Sequence, residues 1–215
     1  NRATPSNEVK PGLEIHKESL ETTHYSVIDR WGNAVSVTTT INSGYGSKLV
    51  IEGTGFFLNN EMDDFSAKPG VPNQFGLLGS EANSISAGKR MLSSMTPTIV
   101  LKDNSPFLIL GSPGGSTIIT SVLQVILNVI DFGYDVRTAV DAPRIHHQWF
   151  PDIVAMEDGV LDHHGKESFM NMGYETKDIS HLGLIEAILI DQKSGKISGA
   201  SDRRGVGLAK GEKQK

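Results

Sequence analysis

At 215 residues the chain can bury a sizeable core, with a single α/β domain the better expectation than two. Its net charge of −5 gives no ground for nucleic-acid binding. The absence of cysteine excludes disulfides, thiol nucleophiles and thiolate metal ligands without fixing a compartment. Mean hydropathy is −0.20 and no run approaches 18 uninterrupted apolar residues, so no membrane-spanning helix is predicted.

The chain begins on Asn1-Arg2-Ala3-Thr4-Pro5, with no initiator Met and no signal peptide, and reads as a piece of something longer. Residues 1–21 carry two prolines, many charges and no Phe, Trp or Tyr, the composition of an exposed arm. A strand pattern starts abruptly at Thr22-Thr23-His24-Tyr25-Ser26-Val27. Tyr25 to Asp29 and Ala34 to Ile41 are β-branched, near-alternating runs joined by Arg30-Trp31-Gly32-Asn33, a hairpin signature. Antiparallel pairing of strands of this length brings Thr40 back beside Thr22.

Asn42 to Ser47 reads as a loop and Gly55-Phe56-Phe57-Leu58 as a short strand running into Asn59-Asn60-Glu61-Met62-Asp63-Asp64. Residues 65–83 have little periodicity and several Pro and Gly, the mark of a long loop that is either a lid or a passive excursion. Strands are expected over Thr96 to Leu101 and Phe107 to Leu110. Gly111-Ser112-Pro113-Gly114-Gly115-Ser116 then leads into a helix over Thr117 to Phe132, apolar round most of its circumference and so expected to be buried. A short helix at Val136 to Asp141, a strand at Ile153 to Glu157, a helix near Gly165 to Met172 and a hairpin of Leu184–Ile190 with Ile197–Ala200 complete the pattern. The basic residues of the tail, Arg203, Arg204, Lys210, Lys213 and Lys215, read as a solvated end.

A hydroxyl is a poor nucleophile without a base. A threonine at a new N-terminus supplies one in its α-amino group, whose ordinary pKa of about 7.7–8.0 suits proton transfer both ways. Exposing that amine at Thr22 requires scission between Glu21 and Thr22, which the same hydroxyl performs by attacking the Glu21 carbonyl. The bland alternative is that the Thr22-Thr23 pair merely opens a strand, and local reasoning does not separate the two threonines. Gly114-Gly115, between a strand and a helix N-terminus, offers backbone N–H groups to developing negative charge, an oxyanion hole. A phosphate cradle would need a G-x-G-x-x-G or a Walker lysine, and neither is present. Glu61 and Asp64, with Asn42 and Asn60, suit a cationic amine, and Ser93-Ser94 offers hydroxyls to a carboxylate. The histidine pairs His146-His147 and His163-His164 diverge and lack H-E-x-x-H, so no metal site is expected.

Six ordered stretches together resemble the small catalytic subunit of the γ-glutamyltranspeptidases, members of the N-terminal nucleophile hydrolases. They are Thr22 to Val27, Leu58 to Ser66, Lys68 to Asn73, Leu92 to Thr98, Gly111 to Ser116 and Ala142 to Trp149. The resemblance covers nearly the whole chain and implies an α+β fold, the αββα four-layer sandwich, of which residues 22–215 supply the catalytic half. Residues 1–21 would be the C-terminal arm of the large subunit. It implies Thr22 as nucleophile, Thr40 as its hydrogen-bonding partner and Gly114 and Gly115 as oxyanion donors. Asn42, Glu61 and Asp64 would bind the substrate α-amino group and Ser93 and Ser94 its α-carboxylate, beneath a lid formed by the loop after Asp64.

The implied reaction transfers the γ-glutamyl group of glutathione or a similar compound to water or to an amino acid or peptide acceptor. It uses no cofactor, needs the large subunit as partner and takes place in the periplasm or outside the cell. A cephalosporin acylase-like hydrolase, a polyglutamate transpeptidase and a non-catalytic unprocessed fragment are the alternatives. Three departures stand out: Glu61 where many bacterial members have Gln, Phe75 where an aromatic lid residue is often Tyr, and the absence of the large subunit's carboxylate-binding Arg.

Overall fold

The structure, a computed structural model, describes residues 22–74, 77–148 and 152–212. The arm before Thr22, Glu21, Phe75, Trp149, Lys213 and Lys215 lie outside the described residues. The architecture is mixed α+β. The first two strands, β1 (Thr22–Ile28) and β2 (Ala34–Thr40), form the expected hairpin. Asp29 closes the turn by accepting from the backbone N–H groups of Trp31 and Asn33 and from the Asn33 side chain. Because both strands are seven residues long and the turn is fixed, the register is fixed too, and it pairs Thr22 with Thr40.

The central sheet is formed by β3 (Thr98–Lys102), β4 (Ser105–Gly111), β8 (Glu186–Ile190) and β9 (Ile197–Ser201), all antiparallel in that order. Alternation along β4 sends its side chains to two faces. Leu108 and Leu110 join the core formed with Ile118, Val122, Val125 and Val129 of α1 (Thr117–Ile130) and with Val136, Ala139 and Val140 of α2 (Val136–Asp141). Gly111 instead faces the β1–β2 hairpin, where a side chain would strike the His24 ring. Ser36 Oγ donates to Leu110 O at 2.9 Å and Ser26 Oγ to Glu186 O at 3.3 Å, tying the hairpin to β4 and β8. Helices and hairpin therefore cover opposite faces of one sheet.

A second sheet has β5 (Ile145–His146) antiparallel to β6 (Ile153–Glu157), which is parallel to β7 (Glu175–Ile179) through the crossover helix α3 (His163–Asn171). Neither β5 nor β7 is legible in the sequence: β5 is two residues long, and β7 reads Glu-Thr-Lys-Asp-Ile with no buried residue. No helix among the described residues is long and apolar enough to cross a membrane.

Three expectations need correction. Residues 55–58 form no regular strand: Phe57 makes an isolated bridge with Val50, the backbone bonds to the irregular and mostly exposed segment 47–51, and the run stays exposed. Helix α1 is buried along one stripe only: Ile119, Leu123 and Ile130 are about half exposed (50, 50 and 51%), since the sheet covers a single face. Arg204 is no solvated tail residue but is held inside by Glu157 and Asp202.

The close approach of His24 to Gly111 makes a direct test. Gly111→Ala should destabilise the chain by about 1–3 kcal/mol in denaturant unfolding, the usual range for overpacking. Adding His24→Ala should recover part of that loss, because the clash goes with the ring. Strictly additive losses would mean that the two do not meet.

Candidate active site

The predicted residues come from four separate stretches, and local hydrogen bonding explains how each is placed. Thr22, His24 and Ser26 point inward along β1, while Thr23 and Tyr25 are exposed. This alternation separates the two threonines that local sequence reasoning left equivalent: only Thr22 shares the inward face with Thr40. Next to it, His24 is 6% exposed, with Nδ1 2.8 Å from Thr38 Oγ1 and Nε2 3.1 Å from Ser26 Oγ. Ser26 gives its own proton to Glu186 O, so Nε2 carries the imidazole proton and Nδ1 accepts from Thr38. Burial pushes the imidazole down to about 4, so it is neutral near pH 7 and acts as a packed spacer between the hairpin and β4.

Beyond Thr40 the chain turns sharply. Asn42 adopts a left-handed conformation (φ 75°) that asparagine tolerates, and its N–H donates to Thr40 Oγ1 at 2.9 Å. Its side chain reaches Asn60 O at 3.3 Å, while Asn60 brackets Ser43 with both its amide oxygen and nitrogen. These bonds bring the start of the Glu61–Asp64 3₁₀ turn to the open end of the hairpin.

Both carboxylates in that turn are harder to ionise than usual. Burial raises Glu61; burial and then the charges of Glu61 and Asp63 raise Asp64 to about 6. Three carboxylates in one turn, with no ion-pair partner among the described residues, gain from a positive ligand.

Asn83, not foreseen from the sequence, carries the wall onward. It donates to Asp64 O at 2.7 Å and accepts from Leu92 N at 3.0 Å, setting Ser93 and Ser94 alongside the acidic turn. A cavity of about 190 Å³ opens between them, lined by Asp64, Phe65, Pro72, Leu78 and Ser94 among others, under the loop that follows Asp64. Ser94 Oγ in turn donates to Gly115 O at 3.0 Å, joining this wall to the twin-glycine turn. Ser93 is exposed, its hydroxyl accepting from Met95 N.

Gly114 (φ 143°) and Gly115 (φ 55°) hold conformations that favour glycine, and a Cβ on Gly114 would lie 2.7 Å from Thr117 Oγ1. Their carbonyls are engaged: Gly114 O accepts from the Thr117 N–H and hydroxyl, Gly115 O from Ile118 N and Ser94. Among the described residues neither glycine N–H donates to a protein acceptor. Ser116, at the N-cap position of α1, donates to Gln148 instead of capping the helix. An uncapped helix N-terminus preceded by two such amides is a place where negative charge is stabilised. The histidines take no part: His146 is buried between Thr120 and Gln148, and His147 pairs with Asp152. Nowhere among the described residues do three or more His, Asp or Glu side chains group to hold a metal ion.

Residues 1–212 match the family Gamma-glutamyltranspeptidase. The glutathione hydrolase proenzyme of Escherichia coli is 47% identical over 213 residues, which cover 96% of this chain and 35% of that protein. The chain thus spans about a third of the length of such relatives. A threonine-to-alanine mutant of Helicobacter pylori gamma-glutamyltranspeptidase superposes with a TM-score of 0.81 at 55% identity, covering 85% of this chain and 100% of the matched one. The Pseudomonas nitroreducens enzyme complexed with L-DON gives 0.82 at 47% identity, covering 89% and 100%. By sequence and by fold, the chain belongs to the gamma-glutamyltranspeptidase family.

Proposed function

We propose that this chain is the catalytic part of a γ-glutamyltransferase and glutathione hydrolase whose nucleophile is Thr22, freed by scission after Glu21. The observation that carries the reading is the inward-facing pair Thr22–Thr40 at the open end of the hairpin, with His24 of the same strand packed on the strand that ends in the Gly114–Gly115 turn. In self-cleavage the Thr22 hydroxyl attacks the Glu21 carbonyl and the amide becomes an ester. Water then splits that ester, leaving Glu21 as a carboxylate and Thr22 with a free amine.

In turnover that amine takes the hydroxyl proton while Oγ attacks the γ-carbonyl of the substrate. The oxyanion forms against the Gly114 and Gly115 N–H groups. Collapse expels the amine product, cysteinylglycine from glutathione, which receives the proton back. The γ-glutamyl ester on Thr22 then passes to water or to an amino acid or peptide acceptor.

Thr40 steadies the Thr22 hydroxyl, and Asn42, Glu61 and Asp64 take the α-ammonium group. Ser93 and Ser94 take the α-carboxylate, the Ser94 hydroxyl turning away from Gly115 O to do so. Recognition of a free amino-acid head group argues against an acylase.

The same reading makes the chain half of an αββα sandwich completed by the large subunit of one precursor, residues 1–21 being the end of that subunit. Two observations support this: the exposed apolar stripe on α1 and the exposed Tyr25, Val27 and Val35 on the outer face of the hairpin. The family resemblance supports a location in the periplasm or outside the cell, which fractionation checks. The contrasting reading, a non-catalytic fragment, rests on the peptide bond before Thr22, since an amide nitrogen cannot serve as the base.

In the full-length precursor, mass spectrometry should reveal a new chain beginning at Thr22, and γ-glutamyl anilide should be hydrolysed. Thr22→Ala should abolish the cleavage and lower turnover by about three orders of magnitude or more. Cleavage or full turnover surviving that change would rule out Thr22.

The pH profile gives an independent check. An Asp64 carboxyl that titrates near 6 is protonated below that pH and loses its attraction for the ammonium group. As pH falls, kcat/KM should therefore decline with slope 1 below the amine pKa and with slope 2 below about 6. Asp64→Asn should raise KM at least about tenfold and remove the lower break; a break that stays would assign it to another group.

A further inference from the structure

The back of the twin-glycine turn is held by buried charge. Arg144 follows α2 by way of Pro143, and its guanidinium meets Asp202 at 2.8 Å, the two side chains being 1% and 0% exposed. Arg204 grips Glu157 through Nε at 2.7 Å and Nη2 at 2.6 Å, and Asp202 through Nη1 at 3.0 Å. Two guanidiniums thus balance two carboxylates. Burial alone would raise the Asp202 carboxyl, but Arg144 and the Ile185 N–H hold it below its usual range.

Of the remaining bonds some hold the end of α2, where Arg144 Nη2 and Arg204 Nη1 donate to Val140 O and Arg204 Nη2 to Ala142 O, and three go to one short stretch of backbone. Arg144 Nη1 donates to Leu182 O at 2.5 Å, Glu157 Oε1 accepts from Leu182 N at 2.6 Å and Asp202 Oδ2 accepts from Ile185 N at 2.9 Å. Both ends of residues 182–185 are clamped. Their middle meets the glycine turn: Leu184 N donates to Ser112 Oγ at 2.8 Å, and Ser112 Oγ donates to Pro113 O at 2.6 Å. Gly183 (φ 64°) has no room for a side chain, which would stand 2.7 Å from Ser112 Oγ and 2.8 Å from Ser121 Oγ. A Cβ placed on Gly114 would lie 3.4 Å from Gly183 Cα, so the two glycines pack backbone to backbone.

Buried ion pairs are poor sources of stability, since apolar residues of equal volume often do as well or better. What they supply is direction, because each charged group here has several bonds of fixed geometry. We propose that the Arg144–Asp202–Arg204–Glu157 network is a positioning device. Through residues 182–185 and Ser112 it fixes where Gly114 presents its N–H to the reacting carbonyl. The proposal rests on the reading of Gly114 and Gly115 as oxyanion donors. Donors of this kind act only when placed to within a few tenths of an ångström, and misplacement by about 1 Å lowers rates by about 100-fold. No member of the network touches the groups assigned to the substrate's amine and carboxylate, so kcat should change and KM should not.

The test uses the full-length precursor with Asp202→Asn, which keeps size and loses charge, and Ser112→Ala, which leaves the charges intact and cuts their link to the turn. For each, kcat and KM with a γ-glutamyl anilide are referred to the amount of chain carrying a free Thr22 terminus, and Tm is measured alongside. The expected result is a kcat lower by about 10- to 100-fold for Asp202→Asn and by several-fold or more for Ser112→Ala, with KM within about threefold of wild type. Should Asp202→Asn fail to fold, Ser112→Ala decides alone. A kcat per processed chain within twofold of wild type, with only Tm lowered, overturns the proposal and leaves the catalytic assignment standing. A wild-type precursor that neither releases Thr22 nor turns over overturns the assignment and the proposal together.

Discussion

The site depends on one register. Seven residues in β1, a turn fixed by Asp29 and seven in β2 set Thr22 opposite Thr40 with both on the inward face. A slip of one residue would turn Thr22 outward and bring in Thr23, because side chains alternate with a period of two. The hairpin is held against slippage by the neutral, buried His24, which fits only where Gly111 leaves space, and by the Ser26 and Ser36 bonds to the main chains of β8 and β4. Everything downstream is then placed relative to that end: Asn42 and Asn60 bring in the acidic turn, Asn83 the serine pair, Ser94 the glycine turn.

Electrostatics divides the molecule into two kinds of polar group. Around Arg144 and Asp202 each charge is answered and, among the described residues, the buried Arg144 Nε alone of the two guanidiniums' and two carboxylates' atoms stands as an unpartnered buried atom, as suits a scaffold. At the open end of the hairpin Glu61 is disfavoured as an anion by burial and Asp64 by burial and by the charges of Glu61 and Asp63, and across the Ser94 bond two glycine amides point to no acceptor among the described residues. A ligand with an ammonium group at one end and a carbonyl able to bear negative charge at the other answers both deficits at once.

Much of this was legible in the sequence. Alternation revealed β1, β2, β6 and the final hairpin, and the length of the first hairpin was enough to bring Thr40 to Thr22. Local chemistry already points to Gly114 and Gly115, to Glu61 and Asp64 with Asn42, and to Ser93 and Ser94, and the motif resemblance adds the choice of Thr22 and the role of Thr40. Local chemistry did not separate Thr22 from Thr23; the inward face of β1 does. What stayed hidden depended on partners distant in sequence. Arg204 looks like one more basic residue of a tail, because Glu157 lies 47 residues away, and Asn83 looks like a loop residue until Asp64 and Leu92 are beside it. β7 was missed for the opposite reason: it is a strand only because β6 runs parallel to it, and its own residues are mostly polar and exposed. The apolar run at 55–58 shows the converse error, in which strand-like composition meets only the irregular segment 47–51 and builds no regular ladder.

The central claim is that the Thr22 hydroxyl is the atom that carries the glutamyl group. The most direct measurement is peptide mapping of the processed enzyme after reaction with an electrophilic glutamine analogue. The account predicts one adduct, on the peptide that begins with Thr22 and on that residue's side chain. An adduct on Thr23, on Ser93 or Ser94, or on any residue outside β1 would contradict it.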